Sequence, residues 1–479
     1  MDHSQIQQFA DNLWDDSIVP TLQDYIRIPA KSPLFDSSWK EHGYIDAAVA
    51  LMMDWCEQHP VEGATYEVVQ LPERTPTIFI DIPGTLDRTL LLYGHLDKQP
   101  EMVGWRDGLG PWLPVIEDDK LYGRGGADDG YAIFASITSI LALHEQGLPH
   151  ANIKILIEAS EESGSPDLPA YMDALEDRIG SPDVVICLDS GCGNYDQLWL
   201  TTSLRGMMSA NLNVEVLTEG VHSGDAGGVV PSSFRVCRQL LDRIEDQHTG
   251  QIKLPEFHTD IPAQRSEQVE MSAEIIGEDA FRRFPFADQT QEMGDSTAER
   301  ILNRTWRPSL EVTGADGIPA IDSAGNVLRP ETRLKLSMRL PPTADADKAA
   351  AALQETLQQN PPHNAQVSLT DVHAAAGWNA PATEEWLDNA VNDASLAYFN
   401  KPAVNMGEGG SIPFMGMLGN KYPEAQFVIT GVLGPKSNAH GPNEFLHIPM
   451  GKKLTACVSS IIYDHYRRCV LQRRFAEDE

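Results

Sequence analysis

The stretch Ile153–Ser165, IKILIEASEESGS, decides the fold. It opens as a short apolar run of strand length and ends on two adjacent acids, Glu161 and Glu162, ahead of Ser-Gly-Ser. A run that is apolar at most positions predicts a strand covered on both faces, as in a parallel sheet flanked by helices. Three other runs read the same way: TIFIDIP from Thr77, TLLLYGHLD from Thr89 and DVVICLDS from Asp183. Helical spacing of apolar residues from Phe9 to Ile28, from Tyr44 to Gln58 and from Tyr131 to Gln146 supplies the covering layers. Strands alternating with helices predict an α/β unit with a mostly parallel sheet, whose chemistry collects at the carboxyl ends of the strands.

After Thr202 the pattern changes. MMSANLNVEV from Met207 and TRLKLSMRL from Thr332 alternate apolar and polar residues, as strands with one wet face do, within a loop-rich α+β insert. From Glu384 the helix-and-strand pattern returns, with AQFVITGVLG from Ala425 and a long helix from about Met450. The expected organisation is a catalytic domain over 1–203, a lid and dimerisation domain over 204–373, and completion of the catalytic domain over 374–479.

The chain has 479 residues, enough for two or three ordinary domains. Its longest apolar runs fall short of the ~20 residues that span a bilayer, and its first residues lack the basic-then-apolar order of an export signal. Six cysteines scattered without CxxC spacing argue against both a disulfide framework and a thiolate zinc site, which fits the reducing cytoplasm. A formal charge of −34 opposes binding to nucleic acid or anionic lipid, since phosphate contacts need clustered Lys and Arg.

Successive strand ends each deliver a metal-ligand type of side chain. GHLD offers His95 and Asp97, GRGGADDG offers Asp128 and Asp129, EASEE offers Glu161 and Glu162, LDSG offers Asp189, and NAHGPNE adds His440 far downstream. Each has a plain alternative: a strand-end His is often a satisfied polar group, and acids before a helix complement its dipole. Together, at the ends of buried strands, they would be unpaired charges without a cation. Imidazoles with carboxylates suit zinc and also manganese, and the set matches a two-metal hydrolase site with a bridging carboxylate.

The order GHLD, GRGGADDG, EASEESGS, LDSG, VHSG and NAHGPNE resembles the M20 family of di-metal aminoacyl peptidases, and within it the carnosinase and cytosolic non-specific dipeptidase branch. The resemblance runs from the first helices nearly to the end of the chain. It implies two divalent ions per chain, with His95 and Asp189 on one, Glu162 and His440 on the other and Asp128 between them. It implies Glu161 as general base and Asp97 as the group that fixes the His95 tautomer. His222, in the loop EGVHSGDAGG, would reach the active site of the partner subunit in a homodimer and stabilise the oxyanion. Arg339 would hold the substrate's terminal carboxylate, with Asn326 and His373 nearby and Gly410 and Ser411 lining the pocket.

Three positions depart from the branch: Gly407 where an Arg usually precedes EGGS, Gly130 where Lys is common, and Pro330 one position late in NVLRP. None is a proposed ligand, so they bear on substrate identity. The leading expectation is a metallopeptidase cleaving dipeptides or short aminoacyl substrates with a free carboxyl end. An N-acyl-amino-acid deacylase on the same site is the second, and a non-catalytic scaffold the third.

Overall fold

The computed structural model describes residues 1–281, 284 and 286–477. The strands that position the site are, in chain order, β1 (Thr65–Val69), β2 (Thr77–Ile82), β3 (Thr89–His95), β4 (Asn152–Glu158), β5 (Val184–Cys187), β6 (Trp199–Leu204), β7 (Gly206–Glu215), β8 (Ser309–Asp316), β9 (Glu331–Leu340), β10 (Gln366–Ala375), β11 (Val404–Glu408) and β12 (Gln426–Ile429). The helices packed on them are α1 (His3–Leu13), α2 (Val19–Arg27), α3 (Tyr44–Gln58), α4 (Ala132–Glu145), α5 (Ser233–Ile244), α6 (Ala263–Ile276), α7 (Thr297–Thr305), α8 (Ala346–Gln358), α9 (Glu385–Phe399) and α10 (Ile448–Glu477). The helix anticipated over Phe9 to Ile28 is two, α1 and α2, joined by a π-helical turn at Trp14–Ile18.

Successive side chains of a strand point to opposite faces. On β3, Leu90 and Leu92 enter one buried cluster and Leu91 and Tyr93 another; on β5, Val184 and Ile186 part from Val185 and Cys187 in the same way. The first cluster includes residues of α1, α2, α3, α4, α9 and α10. Both faces of these central strands are therefore dry, which explains their unbroken apolar runs.

The six-stranded sheet runs β1-β2-β4-β3-β5-β12. Its β4-β3, β3-β5 and β5-β12 pairs are parallel, but β1-β2 and β2-β4 are antiparallel. The lid sheet, β8-β9-β7-β10, is antiparallel throughout. The sheets are thus mixed, which corrects the expectation of a mostly parallel one. The reason is physical: β2 is apolar because it is covered on both faces, and that pattern is the same whichever way its neighbours run.

In the lid sheet, alternate residues Met208, Ala210, Leu212 and Val214 of β7 and Leu334, Leu336, Met338 and Leu340 of β9 form a separate cluster with α5 and α8. Arg333, Lys335, Ser337 and Arg339 take the intervening positions of β9. The middle of the insert departs from this sheet: Val269 of α6, Phe281 and Ile301 of α7 join the first cluster, together with Met406 of β11. Among the described residues, no helix is long and apolar enough to cross a membrane.

Candidate active site

Parallel pairing of β3 with β4 sets His95 beside Glu158, so the GHLD and EASEE turns leave the sheet side by side. His95 Nε2 lies 3.3 Å from Asp128 Oδ1 and 3.8 Å from Asp189 Oδ2. The other oxygen of Asp128 lies 3.0 Å from His440 Nε2, which is 3.3 Å from Glu162 Oε2. One carboxylate therefore faces both imidazoles. Ligand atoms of His95, Glu161 and Asp189 lie within 4.8 Å of one another, as do those of His95, Asp128 and Glu162.

These residues fit a pair of divalent cations. Four ligands on ~2.1 Å bonds to a tetrahedral ion stand about 3.4 Å apart, which is the range of the contacts above. The charge balance points the same way. Burial, followed by the neighbouring Asp189 charge, pushes the carboxyls of Asp129 and Glu161 well above the usual range; burial and Asp128 do so for Glu162. Burial also raises Asp189. For His95 burial works downward, but the Asp189 charge and the contact with Asp128 outweigh it and hold the imidazole well above its ordinary value. Five acids and two imidazoles, all but Glu161 and His440 buried, crowd one place and need either protons or cations.

Asp97 sits beneath the cluster with no side-chain exposure. Its Oδ1 accepts from the Glu161 backbone N–H at 3.1 Å and its Oδ2 from that of Glu162 at 3.0 Å. The same carboxylate is 3.5 Å from His95 Nδ1, while the nearer acceptor to that nitrogen is the Asp97 carbonyl at 3.1 Å. Asp97 thus ties the turn that carries Glu161 and Glu162 to the strand end that carries His95. Gln99 Nε2 donates to Glu162 Oε2 at 2.6 Å.

Sequence reasoning passed over two supporting features, Glu158 and the Arg124–Glu444 pair, and gave Asp129 no role. Glu158 accepts from Tyr93 and Ser165 hydroxyls, both at 2.7 Å, and burial pushes its carboxyl up to about 7. Asp129 Oδ2 accepts from the His95 N–H at 3.3 Å. Arg124 and Glu444 form a buried ion pair at 2.5 Å; Arg124 also donates to the Gly441 and His440 carbonyls, and Glu444 accepts from the Gly125 N–H at 2.9 Å. This pair fastens the His440 loop to the loop leading to Asp128, and its members belong to the motifs GRGG and GPNE. Removing one partner leaves a buried charge alone, so Arg124→Ala is expected to cost about 3–5 kcal/mol in a denaturant titration of the chain.

The remaining candidates divide. Arg339, Gly410 and Ser411 line the same cavity as Asp128, Glu161, Glu162, Asp189 and His440. Arg339 Nη1 donates to Ser411 Oγ at 3.2 Å, and that hydroxyl donates to the Arg205 carbonyl at 2.5 Å. His222, Asn326 and His373 are exposed and do not line this cavity. His222 Nδ1 accepts from the N–H groups of Gly224 and Asp225, and the Asn326 carbonyl accepts from the Ser223 N–H, so these two loops meet on the lid surface.

Two of the three departures, Gly130 and Gly407, have packing causes. A Cβ on Gly130 would lie 2.2 Å from Tyr25 Cε1 and 2.7 Å from the Gly125 carbonyl, so no lysine fits. The local cation is instead Lys98, buried, donating to the Tyr25 and Ile28 carbonyls at 2.7 and 2.8 Å. A Cβ on Gly407 would lie 2.5 Å from Ser203 Oγ and 3.0 Å from Thr305 Cβ, because α7 packs there. The adjacent Arg304 of α7 pairs with Glu408 at 3.2 Å. A third group of ligand-type atoms, on Asp183, His465 and Cys469, lies away from the cavity, and Arg88, 2.6 Å from the Asp183 carboxylate, already supplies its positive charge.

The pattern of Peptidase family M20/M25/M40 matches residues 91–464. The chain is 28% identical over 370 residues to a cysteinylglycine-S-conjugate dipeptidase of Corynebacterium striatum, an overlap of 74% of this chain and 76% of the relative. It is 28% identical over 355 residues to the β-Ala-His dipeptidase of Homo sapiens, covering 71% of this chain and 68% of that one. The solved structure of the di-peptidase Dug1p from Saccharomyces cerevisiae has the same fold, with a TM-score of 0.76 at 22% identity over 97% of this chain and 99% of the other. The ligand cluster at the strand ends and this family match agree, and the chain belongs to peptidase family M20 as a two-metal hydrolase of small peptides.

Proposed function

We propose that this metallopeptidase is a dipeptidase that requires a free carboxylate on the second residue. The observation that carries the reading is that the ligand cluster, Glu161 and the Arg339–Ser411 pair share one cavity of about 950 Å³. His95 and Asp189 would hold one ion, Glu162 and His440 the other, with Asp128 between; the donor set puts zinc first and manganese second. Bound there, the ions would lower the pKa of a water and polarise the scissile carbonyl. Glu161 takes the proton of the attacking water and passes it to the leaving amine. Arg339 grips the terminal carboxylate with its fork of donors and fixes the peptide bond over Glu161.

His222, Asn326 and His373 stand outside their own chain's cavity, which supports a role across a homodimer interface, with His222 donating to the developing oxyanion. The domain borders at 203/204 and 373/374 and a cytoplasmic location belong to the same reading. Its test is hydrolysis of Ala-Ala beside N-acetyl-Met, in the native chain and in Arg339→Ala. The expected outcome is cleavage of Ala-Ala alone, with KM raised at least tenfold by the substitution through loss of a charge-assisted carboxylate contact. Turnover of N-acetyl-Met alone would overturn it in favour of a deacylase.

A further inference from the structure

Resting on the dipeptidase reading, we propose that the cavity holds a recess for a large apolar side chain on the first residue of the substrate, the one whose carbonyl is attacked. With the terminal carboxylate at Arg339 and the peptide bond at the ligand cluster, part of the cavity still has no substrate group assigned to it. Its walls come from four separate parts of the chain: Cys192, just after Asp189; Leu433, ahead of His440; Met406 of β11; and Ile276 and Ile301 of α6 and α7, with Phe281 between them. All six carry hydrocarbon or sulfur side chains. The walls are tied together as well as adjacent: the Cys192 N–H donates to the Leu433 carbonyl at 3.2 Å, and Ile301, Met406 and Cys192 belong to one buried cluster.

The size supports the same conclusion. At about 950 Å³ the cavity is at the upper end of the roughly 300–1,000 Å³ usual for small-molecule sites, much more than two alanines fill. Two of the charged residues that line the cavity cancel each other: Glu408 pairs with Arg304 at 3.2 Å and is held against Gly191, where a Cβ would lie 2.6 Å from Glu408 Oε1. An apolar side chain placed here leaves water for hydrocarbon. Against these six walls a polar or charged side chain gains no such transfer energy.

Ile276, Phe281 and Ile301 are numbered within the lid insert but pack in or against the catalytic cluster. The recess is therefore tied to the catalytic body through Val269, Phe281 and Ile301.

The test compares kcat/KM for Ala-Gly, Phe-Gly and Gly-Phe in the native enzyme, in Ile276→Trp and in Ile276→Ala. Ile276 is half-buried and lines the cavity, so a larger ring at this position takes up part of its space. The native enzyme is expected to favour Phe-Gly over Ala-Gly at least tenfold, the value of burying an aromatic side chain. Ile276→Trp should reduce that ratio at least tenfold, and Ile276→Ala should keep or raise it, which separates narrowing of the recess from general damage. A preference for Phe in Gly-Phe only, or a Phe-Gly to Ala-Gly ratio unmoved by Ile276→Trp, would overturn the recess and leave the dipeptidase reading standing. Failure to cleave any of the three, with N-acetyl-Met turned over, would overturn both.

Discussion

Glu161→Gln is expected to lower kcat for Ala-Ala by roughly 10²–10⁴-fold, the usual contribution of a positioned general base, while leaving two ions on the chain. The amide keeps the shape of the side chain and removes its basicity. The pairing with Glu162→Gln makes the result specific, because Glu162 lies 3.3 Å from His440 Nε2 and 2.6 Å from Gln99, in the position of a ligand. That variant should lose an ion as well as activity. The atoms of Glu161 also fall within 4.8 Å of His95 and Asp189 ligand atoms, so the metal content of Glu161→Gln is decisive. Two ions with collapsed turnover support the base; one ion would make Glu161 a ligand instead.

Metal removal should have an effect on stability that grows with pH. In the metal-free chain burial raises the carboxyls of Asp129, Glu161, Glu162 and Asp189, and that of Glu158 to about 7. A carboxyl whose folded pKa lies above its unfolded value of about 4 binds more protons folded than unfolded. Its contribution is present below the unfolded value and is lost as pH rises through the folded one. His95, raised as well, changes in the same direction, whereas Asp128 is lowered by its contacts with His440 and His95 despite burial, and so matters only in strong acid. Bound cations replace those protons, and metal affinity itself grows as the ligands deprotonate. The difference in Tm between metal-loaded and chelator-treated protein is therefore expected to widen from pH 5.5 to pH 8, by calorimetry. A gap that stays constant would mean that the acids do not carry the protons assigned to them.

Legibility in the sequence followed how local each cause was. His95, Asp128, Glu162, Asp189 and His440 stood out because each follows an apolar strand or lies in a compact motif, and the structure brings all five together. Asp97 was legible as a partner of His95, but its two bonds to the Glu161 and Glu162 N–H groups depend on β3 and β4 being neighbours, which residue spacing does not encode. The antiparallel pairing of β2 was hidden for the same reason that its strand was visible, since dry faces erase the alternation that marks direction. Arg124 and Glu444 are 320 residues apart, and only the folded chain shows one as the partner of the other. The glycines at 130 and 407 stand where the branch carries cations because Tyr25 and Thr305 fill the space a side chain would need, a cause that lies far off in the sequence.

Titrating metal-free chain with zinc while following Ala-Ala hydrolysis tests the two-metal dipeptidase most directly. Activity should rise with added zinc and level off at two equivalents per chain. A plateau at one equivalent, or two ions bound with no Ala-Ala cleaved, would contradict it.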